Sequence, residues 1–166
     1  MPEESTTADL VELIRRTFDA YNRRDFDTVM SFYGRDCVWD ASPWGIGTFE
    51  GTAAVRGFFE EWIGAYEEFA IEPEEILDLG NGVIFSVFCH DARPTGSTGH
   101  VRLQQAGVFV CAKDVIVRTT SYRDIDEARA AAERLAKERG RRCRGRTWRW
   151  CDGTWKLGSV TTSIRG

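Results

Sequence analysis

Histidine is scarce in this chain: there are only His90 and His100, ten residues apart. A zinc-type site needs three or four converging ligands. Two histidines across a loop, without a cysteine pair, do not supply them, so no metal and no other cofactor is expected. The five cysteines are odd in number and widely spaced. They form no C-x-x-C motif and no disulfide framework, a usage that fits a reducing cytoplasm. No uninterrupted apolar stretch approaches the roughly 18 residues of a membrane span. Residues 1–10 are acidic and polar, without the basic and apolar regions of a secretory signal. There is no glycine-rich phosphate loop and no G-x-S-x-G elbow, and Gly45-Ile46-Gly47 lacks the strand-to-helix setting of a dinucleotide fingerprint. No constellation supports a nucleophilic serine or cysteine. Lysine is also sparse, three of the 22 basic residues. With abundant alanine and glycine, that bias points to a GC-rich bacterial genome.

What is present describes one ordinary domain. The 166 residues are 42% hydrophobic and 29% charged, enough to bury a single core. Charge is unevenly placed. Residues 140–166 hold seven basic side chains and one acid, Asp152, a net of +6, while the whole chain carries −4. The preceding 139 residues therefore carry −10: an acidic body with a basic tail.

The hydrophobic period changes along the body. Leu10, Leu13, Ile14, Phe18 (or Thr17) and Tyr21 repeat at helical spacing, which predicts an amphipathic helix over 6–22 with Ser5, Thr6 or Thr7 as its cap. Phe26, Val29, Met30 and Tyr33 predict a short second helix, closed by Gly34. Cys37 to Asp40 reads as a short strand. Thr52 is expected to cap a third helix bearing Val55, Phe58, Phe59, Trp62, Ile63 and Tyr66. Near residue 70 the period drops to two. Strands are predicted over 71–79, 83–90, 100–111 and 115–122, with Gly80-Asn81-Gly82 and Ala112-Lys113-Asp114 as hairpin turns and 93–99 as a loop. Asp124 and Glu127 read as a variant capping box opening a fourth helix that Gly140 stops. Helices, then an antiparallel meander, then a helix make an α+β fold.

Three segments carry a resemblance. Residues 18–40 (FDAYNRRDFDTVMSFYGRDCVWD), 51–59 (GTAAVRGFF) and 121–132 (SYRDIDEARAAA) resemble the SnoaL-like group of nuclear transport factor 2-like proteins. The resemblance spans residues 6–139. It implies a cone-shaped fold, N-terminal helices packed in a curved antiparallel sheet around an apolar pocket, and a homodimer formed through outward Val and Ile of the late strands. It divides the chain into a SnoaL-like domain, 1–139, and a basic Arg/Trp-rich extension, 140–166. Steroid isomerases of this superfamily use a tyrosine, a base aspartate and a protonated aspartate. The nearest matching positions here hold Thr17, Ala41 and Gly107 (or Ala106), which argues against that route. Relatives with a polar His and Glu on the last strands match here at Gly107 and Thr120.

The candidate ligand-binding residues are Thr17, Trp39, Trp44, Phe59, Trp62, Gln105, Thr120 and Tyr122. Large rigid aromatics offer an apolar ligand much contact at little entropic cost, although each also serves as ordinary core. Arg118, Thr120 and Tyr122 alternate and share one strand face. Arg118 can hold an anionic group and Tyr122 can donate a proton, but an exposed Arg paired with a carboxylate accounts for Arg118 as well. His90, beside Asp91, is a candidate base, with a sheet-edge position as the plain alternative. Trp39 and Asp40 are neighbours, so an inward Trp39 sends Asp40 outward. A buried Gln105 must find partners and is a natural substrate hydrogen-bonder.

The tail alternates around Asp152-Gly153, a hairpin signal over 147–157. Arg interleaved with Trp also fits nucleic-acid stacking, the least favoured of its readings. Two functions fit the chain: a cyclase- or isomerase-type enzyme on a hydrophobic carbonyl metabolite, and a non-catalytic binding protein for a small apolar molecule. A pair of polar residues converging inside the cone separates them.

Overall fold

The computed structural model describes residues 7–144, 147–151 and 154–158. Four helices, a 3-10 turn and eight strands occur among them. Helices α1 (Thr7–Asn22), α2 (Phe26–Ser31) and α3 (Thr52–Gly64) surround strands β1 (Tyr33–Asp40) and β2 (Thr48–Glu50) in the chain. The meander β3 (Tyr66–Asp78), β4 (Val83–Pro94), β5 (Val101–Ala112) and β6 (Val115–Tyr122) follows, and then α4 (Ile125–Arg144). The six strands form one sheet in the order β2-β1-β6-β5-β4-β3.

Each of the two sheet faces is covered. Leu10, Ile14, Phe18 and Tyr21 of α1 and Val55, Phe59 and Ile63 of α3 pack with Ile84, Phe88, Phe109 and Ile116 on the inner face. On the outer face Ala128, Ala132 and Ala136 of α4 pack on Val83, Phe85, Val87, Ala106 and Val108. Strand β4 is consequently buried on both sides, which explains its nearly continuous apolar run where a half-exposed strand alternates. Val83, Val87 and Val108 of the outer face lie against the alanine stripe of α4.

Several boundaries differ from the sequence expectation. Tyr33 and Gly34 belong to β1, and α2 ends at Ser31 with Phe32 as its C-cap, whose N–H donates to the carbonyls of Val29 and Met30. Gly51 caps α3 and Thr52 is its first residue. Tyr66 opens β3, and Arg93 and Pro94 are still in β4. Helix α4 starts as read, with the Glu127 N–H on Asp124 Oδ1 at 2.9 Å, but runs through Gly140 to Arg144. The meander is antiparallel throughout, whereas β1 joins β6 in parallel, a correction to the all-antiparallel expectation. β1 sits between β2, its antiparallel sequence neighbour, and β6, the last meander strand, which it meets in parallel.

The turns follow their chemistry. Gly80, Asn81 and Gly82 all have positive φ. A Cβ on Gly82 would stand 2.4 Å from the Cys111 carbonyl oxygen, so only glycine fits there. Asn22 ties α1 to the edge strand, its amide both donating to the Ile71 carbonyl (2.9 Å) and accepting from the Ile71 N–H (2.7 Å). The tail strands β7 (Thr147–Cys151) and β8 (Thr154–Gly158) pair antiparallel as expected; the Asp152-Gly153 turn and the Ser5 and Thr6 cap candidates lie outside the described residues. Among the described residues no helix is long and apolar enough to cross a membrane.

Candidate functional site

Inner-face positions of β1, β4, β5 and β6 converge with α3 and the turn after β1 on one cavity of about 140 Å³. Trp39, Trp44, Phe58, Trp62 and Tyr66 give it aromatic walls, and His90, Gln105 and Ser121 give it polar points. A recess of about 20 Å³ continues inward, bordered by Phe18, Tyr21, Phe88, Gly107, Phe109 and Thr119. Trp39, Trp62, Gln105 and Ser121 border both spaces and form the waist between them. The mouth carries Ile46 and Val101, 56% and 47% exposed, unusual settings for large aliphatic side chains.

The polar points are deeply placed. Trp39 is 7%, His90 4% and Gln105 4% exposed. Among the described residues neither Trp39 Nε1 nor His90 Nε2 has a hydrogen-bond partner, though both atoms are buried. Ser121 differs: its hydroxyl accepts the Trp44 indole N–H at 3.1 Å and so holds Trp44 at the cavity. Arg123 lies over the outer part of the Trp44 ring, 5.1 Å from its centroid.

His90 stands in an aromatic nest. Phe69, Trp62 and Tyr66 lie 4.7, 5.4 and 5.5 Å from its ring centroid. Burial lowers its pKa from the ordinary histidine value, opposed in part by the charge of Asp91, so the imidazole is neutral at pH 7. The expected His90–Asp91 pair does not form. Successive strand residues face opposite ways, and Asp91 bonds on the outer face to His100 Nδ1 at 3.1 Å. Nor is His90 at a sheet edge: β4 is paired on both sides, and the strand continues four residues past it.

Trp39, Trp44, Trp62 and Gln105 thus meet at the cavity as the sequence reading expects. Phe59 is fully buried and braces Trp39 edge-on at 4.8 Å from behind, so it is core, not lining. Thr17 is likewise buried, and its hydroxyl donates to the Leu13 carbonyl of its own helix at 2.8 Å. Arg118, Thr120 and Tyr122 do not reach the cavity. Arg118 pairs with Asp40 at 2.8 Å on the outer face, and Tyr122 packs beside α4. Burial raises the Asp40 pKa, but bonds from Ser42 and the Arg118 guanidinium outweigh it and hold the carboxyl low. The cause of the misplacement is a bulge: Cys111 pairs with Ile116 but Val110 with Arg118. The extra residue reverses the phase, so the inward side chains are Ile116, then Thr119 and Ser121. Ala41 and Gly107, at the positions where isomerases carry acids, do border the cavity and the recess.

Ile46, Phe58, Tyr66, Val101, Leu103 and Ser121 are cavity residues not foreseen. The signal for Leu103 was its parity with Gln105; for Ser121 the bulge hid it. Among the described residues no group of His, Cys, Asp and Glu is arranged to hold a metal ion.

The SnoaL-like domain model matches residues 14–119. Among solved structures, a nuclear transport factor 2-like protein of unknown function from Burkholderia pseudomallei is similar at 21% identity, covering 72% of this chain and 93% of its own, with a TM-score of 0.62. An LEH-like epoxide hydrolase of Mycobacterium tuberculosis is similar at 18% identity, covering 77% of this chain and 92% of its own, with a TM-score of 0.61. SalBIII, an epoxide hydrolase/cyclase-like enzyme of pyran ring formation in the polyether salinomycin, is similar at 17% identity, covering 74% and 96%, with a TM-score of 0.64. These likenesses show the fold, a six-stranded α+β sheet of the nuclear transport factor 2-like type. Curated proteins offer no significant match.

Proposed function

For a chain that belongs to the SnoaL-like family, we propose an acid/base enzyme of the cyclase or isomerase type, acting on a small hydrophobic carbonyl compound in the aromatic cavity. The observation that carries this reading is His90: neutral, 4% exposed, and without a partner for Nε2. A buried polar atom without a partner loses about 1–3 kcal/mol, a loss tolerated where function needs the group free. A neutral imidazole bordering an apolar cavity is equipped to take a proton from carbon beside a carbonyl. In that step the C–H bond breaks, its electron pair becomes the enolate C=C bond, the carbonyl π pair moves to oxygen, and the proton goes to the imidazole. The Trp62 ring, edge-on to the imidazole, and Tyr66 supply a dry surround. Return of the proton to another carbon isomerises the compound; attack of the enolate carbon on a second carbonyl cyclises it.

The test is α-proton exchange of acetophenone in heavy water, followed by proton NMR. Wild-type protein is expected to accelerate exchange and His90→Gln to lose about 100-fold or more of the acceleration. An unchanged rate in His90→Gln defeats the assignment. A second reading, a non-catalytic binding protein, draws support from one observation: no carboxylate orients His90, because Asp91 is engaged on the opposite face. Acetophenone binding with no exchange in the wild type selects it.

A further inference from the structure

Resting on the reading of this cavity as a site for a carbonyl compound, we infer that Trp39 and Gln105 receive the carbonyl oxygen, and that the ligand is a neutral compound of single-ring size. The two side chains border both the cavity and the recess, at the waist between them. Each is more than nine-tenths buried. The Trp39 indole N–H is a donor only, and it is buried with no acceptor among the described residues. The Gln105 amide makes no hydrogen bond among the described residues. Its burial contrasts with that of its neighbour Gln104, which points outward and donates to Glu74. Two unpartnered donors at one constriction, on β1 and on β5 with β6 between them, call for an oxygen acceptor between them. Buried polar groups are nearly always satisfied, and the space both side chains border is where a ligand sits.

The lining of the cavity and recess contains no Lys, Arg, Asp or Glu. A carboxylate there meets no counter-charge, and burying an unpaired charge is strongly unfavourable. That separates this cavity from an anion site and selects an uncharged carbonyl. The size of the buried part follows from the volume: about 140 Å³ is close to the roughly 150 Å³ apolar cavity that holds one benzene, with the narrower waist and recess left for a substituent. Phe58 and Trp62, stacked at 6.0 Å and 13° to each other, and Trp39 give the ring aromatic faces. Trp39 and Gln105 are positioning groups for the oxygen, while His90 faces the reacting carbon.

An isosteric series tests this: acetophenone, ethylbenzene and benzoate, titrated into the full chain at pH 8, where His90 is neutral. Acetophenone is expected to bind about tenfold more tightly than ethylbenzene, the worth of one to two hydrogen bonds, and benzoate not to bind. Trp39→Phe keeps an aromatic ring and removes the N–H; Gln105→Leu keeps volume and removes the amide. Loss of the carbonyl preference in either variant, with ethylbenzene affinity kept, supports the inference. An unchanged preference in both, or benzoate binding as well as acetophenone, overturns it. Should Trp39→Phe fail to fold, the wild-type Trp39 indole proton signal decides: it moves downfield with acetophenone and stays with ethylbenzene, and a signal unmoved by acetophenone is the contrary result. The same titrations on His90→Gln separate the two proposals. The preference survives there even where exchange proves not to depend on His90.

Discussion

Replacing His90 by phenylalanine is expected to stabilise the protein while abolishing proton exchange. The imidazole is 4% exposed, its Nε2 is unpartnered, and its neighbours are Phe69, Trp62 and Tyr66. An unsatisfied buried nitrogen forfeits about 1–3 kcal/mol. A phenyl ring removes that loss and adds apolar burial, set against about 1 kcal/mol for fitting a larger ring. The balance is a gain of about 1 kcal/mol, or roughly 2–4 °C in Tm for a domain of this length. A pH dependence accompanies it. The folded-state pKa of His90 lies below its unfolded value, so the unfolded chain binds the proton more readily. Wild-type stability from this group is complete above about pH 6.5 and falls as pH drops toward the folded pKa. The advantage of His90→Phe should therefore widen below pH 6.5. Urea denaturation at pH 8, 6.5 and 5.5 measures it. A variant less stable than the wild type by more than 1 kcal/mol, with no widening at low pH, shows that the imidazole is satisfied in the native protein and removes the basis of its assignment.

Gly107→Ala should close the recess, since the added Cβ would stand 2.9 Å from Phe109 Cε2 and 3.4 Å from Phe88 Cε1. The expected loss is about 1–2 kcal/mol by thermal melting, with weaker acetophenone binding; wild-type binding would show the recess unused. Arg118→Ala and Tyr122→Phe should leave exchange at the wild-type rate, because both side chains lie on the outer face. Arg118→Ala should change stability by no more than about 1 kcal/mol, and a large rate loss in either variant would contradict the placement. Asn22→Ala should destabilise by about 1–3 kcal/mol through the two lost bonds to Ile71, with hydrogen exchange of the Ile71 amide rising most; equal protection in the variant would refute the clamp.

The element types were legible because local chemistry sets them. The helical spacing of Leu10, Ile14, Phe18 and Tyr21, the Asp124 cap and the Gly80-Asn81-Gly82 turn each act within a few residues. So did the aromatic character of the site, since Trp39, Trp44 and Trp62 had nowhere polar to go. Three features waited for the tertiary structure. Alternation along β6 says which residues share a face, but a one-residue bulge against β5 decides which face turns inward, and it sends Ser121 in and Tyr122 out. The end of β4 was hidden because Arg93 and Pro94 look like loop residues, yet pairing with β3 carries the strand past His90 and buries it. Adjacency of His90 and Asp91 in the chain suggested a catalytic pair. Strand geometry separates such neighbours to opposite faces, and only the assembled sheet shows His90 left without a partner beside Trp62 and bordering the same cavity as Gln105.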